Sequence, residues 1–384
     1  MSTIPIRSWV LALGTFAVGT DAFVVAGFLP EMAADLGVSE GAAGQSVTVF
    51  AVAYALGSPV LATLTARVPR RTLLVAALVV LGVANLGSAL SSDLAVLMVT
   101  RVVAALGAAA YTPNAGAVAA SLAAPMHRAR ALSVVVGGLT IATALGVPLG
   151  SLAAQRLSWR GALALVAVLA LAAAPAVRAV LPGLPGGPRV PLRDRLAVLR
   201  RPAVVRVLPL TVLGMGAAYT AYAYSVPALA GVGVGAIGPM LFLYGAGAVA
   251  GNLLSGYATD RWGARRVLAT GYTLMAATMA VLAWLAASGV RLPVLVGVLM
   301  AAWGASSWCQ TPPQQHRLIA AAPSESALVV SLNSSAIYAG IGLGTVLGGL
   351  ALGAGTTWMY GAAALLAVLS LAWTARHAVT EMSS

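Results

Sequence analysis

Long apolar runs separated by short polar intervals dominate the chain. In order they are residues 9–29, 45–64, 72–90, 94–121, 131–155, 161–180, 205–229, 237–257, 267–287, 293–320, 327–352 and 357–375. A bilayer crossing needs about 20 apolar residues, and each run is of that order. The pattern predicts an all-α membrane protein of twelve transmembrane helices. The runs 94–121 and 293–320 exceed one bilayer thickness and should tilt, kink or protrude. Pro113 and the pair Pro312-Pro313 supply kinks there. The one long polar interval, 181–204, is Pro/Gly-rich and then basic. It reads as a central loop ending in a short amphipathic helix on the membrane surface. It separates a six-helix half over 1–180 from a second over 205–384.

Composition agrees with this pattern. Of the 384 residues, 60% are hydrophobic and 8% charged, with a mean hydropathy of +0.95. Soluble domains carry about 25% charged residues. All 22 basic residues are arginine, and the net charge is +13. These arginines sit in short loops between apolar runs, so membrane topology explains them and nucleic acid does not. One set of loops, with the two termini, holds 18 of them, including Arg7, Arg67, Arg70, Arg71, Arg189, Arg195, Arg261, Arg265, Arg266, Arg317 and Arg376. The opposite loops hold Arg156, Arg160 and Arg291 beside Glu31, Asp35, Glu40 and Asp93. The asymmetry places both termini and the central loop in the cytoplasm. The single Cys309 allows no intrachain disulfide and reads as a small apolar filler. The first apolar run is long enough to span and others follow it, so no cleaved signal peptide is expected.

The two halves repeat. Aligning Arg67 with Arg261, in the basic loops after the second and eighth runs, gives an offset of 194. The same offset carries Ala142, Gly146 and Gly150 onto Ala336, Gly340 and Gly344. Parallel six-helix halves related in this way are a transporter architecture.

Several segments resemble the major facilitator superfamily. Gly256-Tyr-Ala-Thr-Asp260-Arg261-Trp-Gly263-Ala-Arg265-Arg266 resembles its loop signature, and Leu97-Met-Val-Thr-Arg101…Gly107 its fourth-span arginine motif. Gly137-Gly138…Gly146-Val-Pro148-Leu-Gly150 resembles the fifth-span motif of its antiporters. Residues 23–39 and Pro312-Pro-Gln-Gln-His-Arg317 are similar to the bacterial drug:proton antiporter branch, which includes chloramphenicol-resistance and sugar- or purine-efflux proteins. The chain departs from the pattern at Ala66, where an aspartate is usual, and at Pro69, where a glycine is usual. Many branch members also place the first-span acid one residue later, at the position of Ala22. The resemblance implies a major facilitator fold with pseudo-two-fold symmetry, in a bacterial plasma membrane.

Asp21 is the one acidic residue expected inside a span. A buried charge there is expensive and needs a partner or a use. It lies about 12 Å from the end of its run at Leu29, and Arg101 about 10 Å from the start of its run at Leu94. At matching depth the two can neutralise each other. One reading makes them the proton-coupling pair; the other makes them an ion pair that only locates two helices.

The stripe Gly138, Ala142, Gly146, Gly150 and its counterpart Ala336, Gly340, Gly344, Gly348 recur every four residues. They are expected to pack the two halves tightly against each other. Arg67, Arg71, Gly256, Asp260, Arg261, Gly263 and Arg265 are expected to form gating loops, with Asp260 in an ion pair or helix-end contact. A substrate cavity is expected among Tyr54, Asn114, Tyr219, Tyr222, Asn252, Trp303, Gln310, Asn333 and Tyr338, since aromatics with a few amides suit an amphipathic organic molecule.

No catalytic constellation is visible. His127, His316 and His377 lie near run ends without acid or cysteine at ligand spacing, so no metal is expected. A chain without lysine has no phosphate loop for ATP. No cofactor is expected. The partners are a small-molecule substrate, protons and the bilayer, and the chain should work as a monomer. The function expected is proton-coupled efflux of a small organic compound. A metabolite uptake symporter or facilitator, and more remotely a membrane sensor or enzyme, remain as alternatives.

Overall fold

The computed structural model describes residues 6–123, 128–187, 191, 193, 197–322 and 326–381. His127, Arg189, Asp194, Arg195 and Glu325 lie outside the described residues. Every regular element among those described is helical. The first half runs through α1 (Ile6–Phe23), a 3-10 turn (Val24–Gly27), α2 (Leu29–Asp35), α3 (Glu40–Leu64), α4 (Arg70–Ala89), α5 (Leu94–Leu122), α6 (Arg128–Ile141), a π turn (Ala142–Gly146) and α7 (Val147–Val180). After a 3-10 turn (Val198–Arg200) the second half has α8 (Pro202–Tyr222), α9 (Ser225–Gly231), α10 (Ile237–Trp262), α11 (Ala264–Ser288), α12 (Pro293–Trp308), α13 (Thr311–Ala321), α14 (Ser326–Ala354) and α15 (Thr356–Glu381).

Eleven described stretches are long and apolar enough to cross a membrane. One of them, residues 134–180, is 47 residues long and turns at Ser158, whose φ of 68° breaks the helical path, so it holds two crossings. Lipid offers backbone groups no partners, which forces spans into closed helical hydrogen bonding. Buried hydroxyls and amides follow the same rule. Thr20 donates to the Phe16 carbonyl, Asn85 to that of Leu81, and Thr345 to that of Ile341, each four residues back.

The expected runs map onto these helices, three of them divided and run 131–155 interrupted by the π turn. Run 9–29 ends its α-helix at Phe23, run 205–229 divides at Ala223–Tyr224, and run 293–320 divides at Cys309–Gln310. The last break has the expected cause: α13 restarts at Thr311 with Pro312 in its first turn, where a missing N–H costs nothing. Pro113, by contrast, sits inside an uninterrupted α5. Of the expected amphipathic helix in the central loop, the described part is the short Val198–Arg200 turn, with Val198 packed among Val204, Val207, Leu318 and Val329. The loop's start is tied down instead. Arg70 N–H donates to the Leu184 carbonyl and Gly187 N–H to that of Ala66.

The glycine stripes correct an expectation. They pack inside each half and not between the halves. Gly138 faces the Ala12 carbonyl and Thr15, Gly146 faces Thr20, and Gly150 faces Val24, all in the first crossing. Gly340 faces the Val212 carbonyl, Gly344 that of Gly216, and Gly348 that of Thr220, all in α8. Backbone-to-backbone approach of this kind interlocks two helices along several turns, which suits a permanent contact. The halves meet elsewhere. Gly342 of α14 faces Thr48, Ala51 and Val52 of α3, while Gly245 of α10 faces the Thr143–Ala144 backbone in the π turn. Toward the arginine-poor end, Gly41 faces the Gly349 carbonyl and Gly44 faces Tyr224.

Because Gly344 abuts a backbone carbonyl, Gly344→Leu should overpack α14 against α8 at a cost of about 1–3 kcal/mol. The protein should melt several degrees lower in detergent, whereas Gly353→Leu, which has open space around it, should melt as wild type. Equal melting temperatures for the two variants would contradict this packing.

Candidate functional site: a buried ion pair beside an aromatic cluster

The site begins where α1 stops. Two β-branched residues, Val24 and Val25, then Gly27 and Pro30, replace the α-helix with a 3-10 turn before α2. The last carbonyls of a helix lack regular partners, and that of Asp21 accepts a hydrogen bond from Arg101 Nη2 at 3.1 Å. Arg101 Nη1 donates to Asp21 Oδ1 at 2.5 Å. Both residues are 0% exposed. The contact is one-sided: Asp21 Oδ2 and Arg101 Nε are buried with no partner. Arg101 is thus held at two points of Asp21, one carboxylate oxygen and the backbone carbonyl.

An aromatic path leads from this pair to the other half. The Arg101 guanidinium lies 4.6 Å from the centroid of the Phe50 ring, a cation–π distance. Phe50 sits 6.2 Å from Tyr338 of α14, and Tyr338 stacks on Tyr54 at 3.7 Å. A second group lies on the α8, α10 and α12 side. Tyr222 is 5.0 Å from Tyr219, 4.5 Å from Tyr244 and 6.2 Å from Trp303. Phe23, two residues beyond Asp21, touches Tyr219 at 6.0 Å and Trp308 at 5.9 Å.

Of the nine residues expected in a cavity, the structure thus brings together Tyr54 with Tyr338, and Tyr219 and Tyr222 with Trp303. Four others are engaged separately. Asn114 accepts from Arg70 Nη1 at 3.1 Å, Gln310 accepts from the Tyr272 hydroxyl at 3.0 Å, and Asn333 accepts from Thr211 at 3.0 Å. Asn252 is half-buried on α10, where its carbonyl accepts from Ser255. Phe23, Phe50 and Tyr244 were missed. Phe50 stands one helical turn before Tyr54, and Tyr244 shares a face with Ala248 and Gly251, so face spacing was the available signal. A separate groove of about 690 Å³ faces outward between α10, α11 and α12, lined in part by Trp262, Arg266 and Cys309. None of the nine residues lines it.

Pro148 stands in the first turn after the π turn and Gly146 is its last residue, so both sit where α6 passes into α7 through a local unwinding. Of the gating-loop residues, Arg67, Asp260, Arg261, Gly263 and Arg265 are exposed, Arg71 donates to the Leu181 carbonyl, and Gly256 is half-buried. Gly263 has φ 84°, which joins α10 to α11 without a longer loop. Among the described residues Asp260 has no ion-pair partner in this conformation.

At the arginine-poor end, outside the spans, a latch that the sequence did not suggest holds the strained Ser158 turn. Trp159 N–H donates to Glu31, its indole N–H donates to Asp35 at 3.0 Å, and Arg160 pairs with Asp35 and donates to the Ser91 carbonyl. The Arg160 and Trp159 hydrogen bonds hold the Asp35 carboxyl below its ordinary value.

A family model described as Major Facilitator Superfamily matches residues 11–236 and again 210–381. The chain belongs to the major facilitator superfamily. It is 33% identical over 380 residues to a chloramphenicol resistance protein of Streptomyces lividans, covering 95% of each chain. It is 32% identical to the inner membrane transport protein YdhP of Escherichia coli K12, covering 91% of this chain and 90% of that one. In fold it is similar to a bacterial homologue of the human lysosomal transporter Spinster, solved inward-facing and unoccupied, with TM-score 0.76, 15% identity and 97% of each chain covered. As a major facilitator protein it is a multi-pass membrane transporter and not an enzyme.

Removing one member of a buried pair strands the other charge, at a cost of about 3–5 kcal/mol. Arg101→Met should therefore lower the melting temperature sharply, and adding Asp21→Leu should recover most of the loss. A single variant that melts as wild type would contradict the pairing.

Proposed function

We propose that this transporter is a proton-coupled exporter of a small organic compound, with Asp21 as the proton carrier. One observation carries the reading. Asp21 is the acid buried in the spans, held through one oxygen by Arg101, with its second oxygen free and buried beside the contact between the halves. With Oδ2 protonated, Arg101 loses its counter-charge and bears on Phe50, and through Phe50 on Tyr338 of the other half. Proton binding thereby biases how the halves pack, which is what alternating access requires.

Efflux as the direction is supported by the chloramphenicol resistance protein of Streptomyces lividans among the relatives and by the Gly138, Gly146, Pro148, Gly150 motif. In this reading residues 1–180 and 205–384 are the rocking halves, joined by the cytoplasmic loop 181–204, with both termini cytoplasmic. The arginine-rich end is then the cytoplasmic one. The contacts of Gly41 with Gly349 and of Gly44 with Tyr224 close the outer side. Asp260, Arg261 and Arg265, exposed here, engage only when the inner side closes. The protein acts as a monomer in the bacterial plasma membrane.

Everted vesicles with a pH-gradient dye test this. A transported compound, chloramphenicol being the first to try, should dissipate the gradient in wild type, and Asp21→Asn should abolish the effect while remaining folded in the membrane. Gradient-driven transport by Asp21→Asn at the wild-type rate would refute the assignment.

A further inference from the structure

The second aromatic group holds five buried hydrogen-bonding atoms without a well-formed hydrogen bond, two of which, the Tyr244 hydroxyl and the Trp308 indole N–H, lie close to each other. They are the hydroxyls of Tyr219, Tyr222 and Tyr244 and the indole nitrogens of Trp303 and Trp308. Each of these residues is at most 9% exposed. Folded proteins leave few such groups unpaired, because each forfeits its bonds to water, so five in one place require a cause. The backbone beside them points the same way. Phe23 is the last residue of α1, Tyr222 of α8 and Trp308 of α12, so three helices break at members of this one group. Broken helices at membrane depth are tolerated where the freed backbone lies inside the protein beside a ligand.

The atoms also state what they would take. An indole nitrogen only donates, so Trp303 requires an acceptor, and Trp308 has only the nearby Tyr244 hydroxyl to offer its N–H to. Ring faces from Phe23, Tyr219 and Tyr222 favour a flat partner. Asp21 and Arg101, which the group reaches through Phe23, neutralise each other, so an ion entering the group would find no counter-charge in them. Resting on the transporter reading, we propose that the substrate is an uncharged, flat organic molecule bearing accepting oxygens (carbonyl, nitro or ether). It is gripped by the Trp303 and Trp308 N–H groups and the three tyrosine hydroxyls.

Three probes of one shape separate the charge classes: 4-nitrobenzamide, 4-nitrobenzoate and 4-nitrobenzamidinium, measured by equilibrium dialysis against the purified full chain. The neutral amide should bind at least tenfold more tightly than either ion. Trp303→Phe and Trp308→Phe, which keep a ring and delete the N–H, should each weaken the amide roughly 3- to 10-fold. Tighter binding of the anion or the cation overturns the proposal, as does no binding of any probe at millimolar concentration. Unchanged amide affinity in both variants also overturns it. If a variant fails to fold, the charge series on wild type still decides. Amide binding without gradient-driven movement in vesicles would leave this assignment standing and remove the coupling reading instead.

Discussion

A carboxylate and a guanidinium, both sealed from solvent in the middle of a membrane protein, constrain everything around them. Neither can stay charged there without the other, so α1 and α5 must present Asp21 and Arg101 at one depth. The end of α1 at Phe23 serves the same contact, since it frees the Asp21 carbonyl to take the second guanidinium nitrogen. Phe50 covers the guanidinium and passes the contact to Tyr338 in the other half. Local chain chemistry, helix packing and the contact between halves therefore meet at one ion pair. The repeat offset of 194 places Met215 and Leu295 at the corresponding positions of the second half. The charge is confined to the first half, and the second contributes rings and donors.

The small residues do a different job. Glycine stripes on α6–α7 and α14 press backbones together within each half, and overpacking them strains a rigid body. Between the halves the contacts are more varied in kind. Some are ring on ring, as with Tyr54 and Tyr338, and others set a single glycine against a backbone turn, as with Gly245 and Thr143–Ala144. Rigid halves with a separable seam are the mechanical requirement of rocking.

Much of the architecture was legible in the sequence because lipid leaves so few options. Apolar run lengths dictate the crossings, and the basic loops and small-residue positions expose the repeat. The depth match of Asp21 and Arg101 followed from counting residues along two helices. What a span touches was less legible. A four-residue spacing says that Gly138, Gly146 and Gly150 share a face, but it does not say that the face meets α1 and not the other half. Nor do polar residue types reveal their rotamers: Gln310 turns to Tyr272 and Asn114 to Arg70, away from the aromatic group. Phe23, Phe50 and Tyr244 read as ordinary apolar positions until tertiary contacts put them beside a charge or an unpaired donor.

The central claim is that the free oxygen of Asp21 exchanges a proton against substrate. The direct test is proton release on substrate binding, followed with a pH indicator in weakly buffered detergent solution. Wild type should release close to one proton per bound molecule at a pH where the carboxyl is protonated, and Asp21→Asn should bind the same compound with no release. Equal release from both proteins would contradict the account and place the exchanging proton elsewhere.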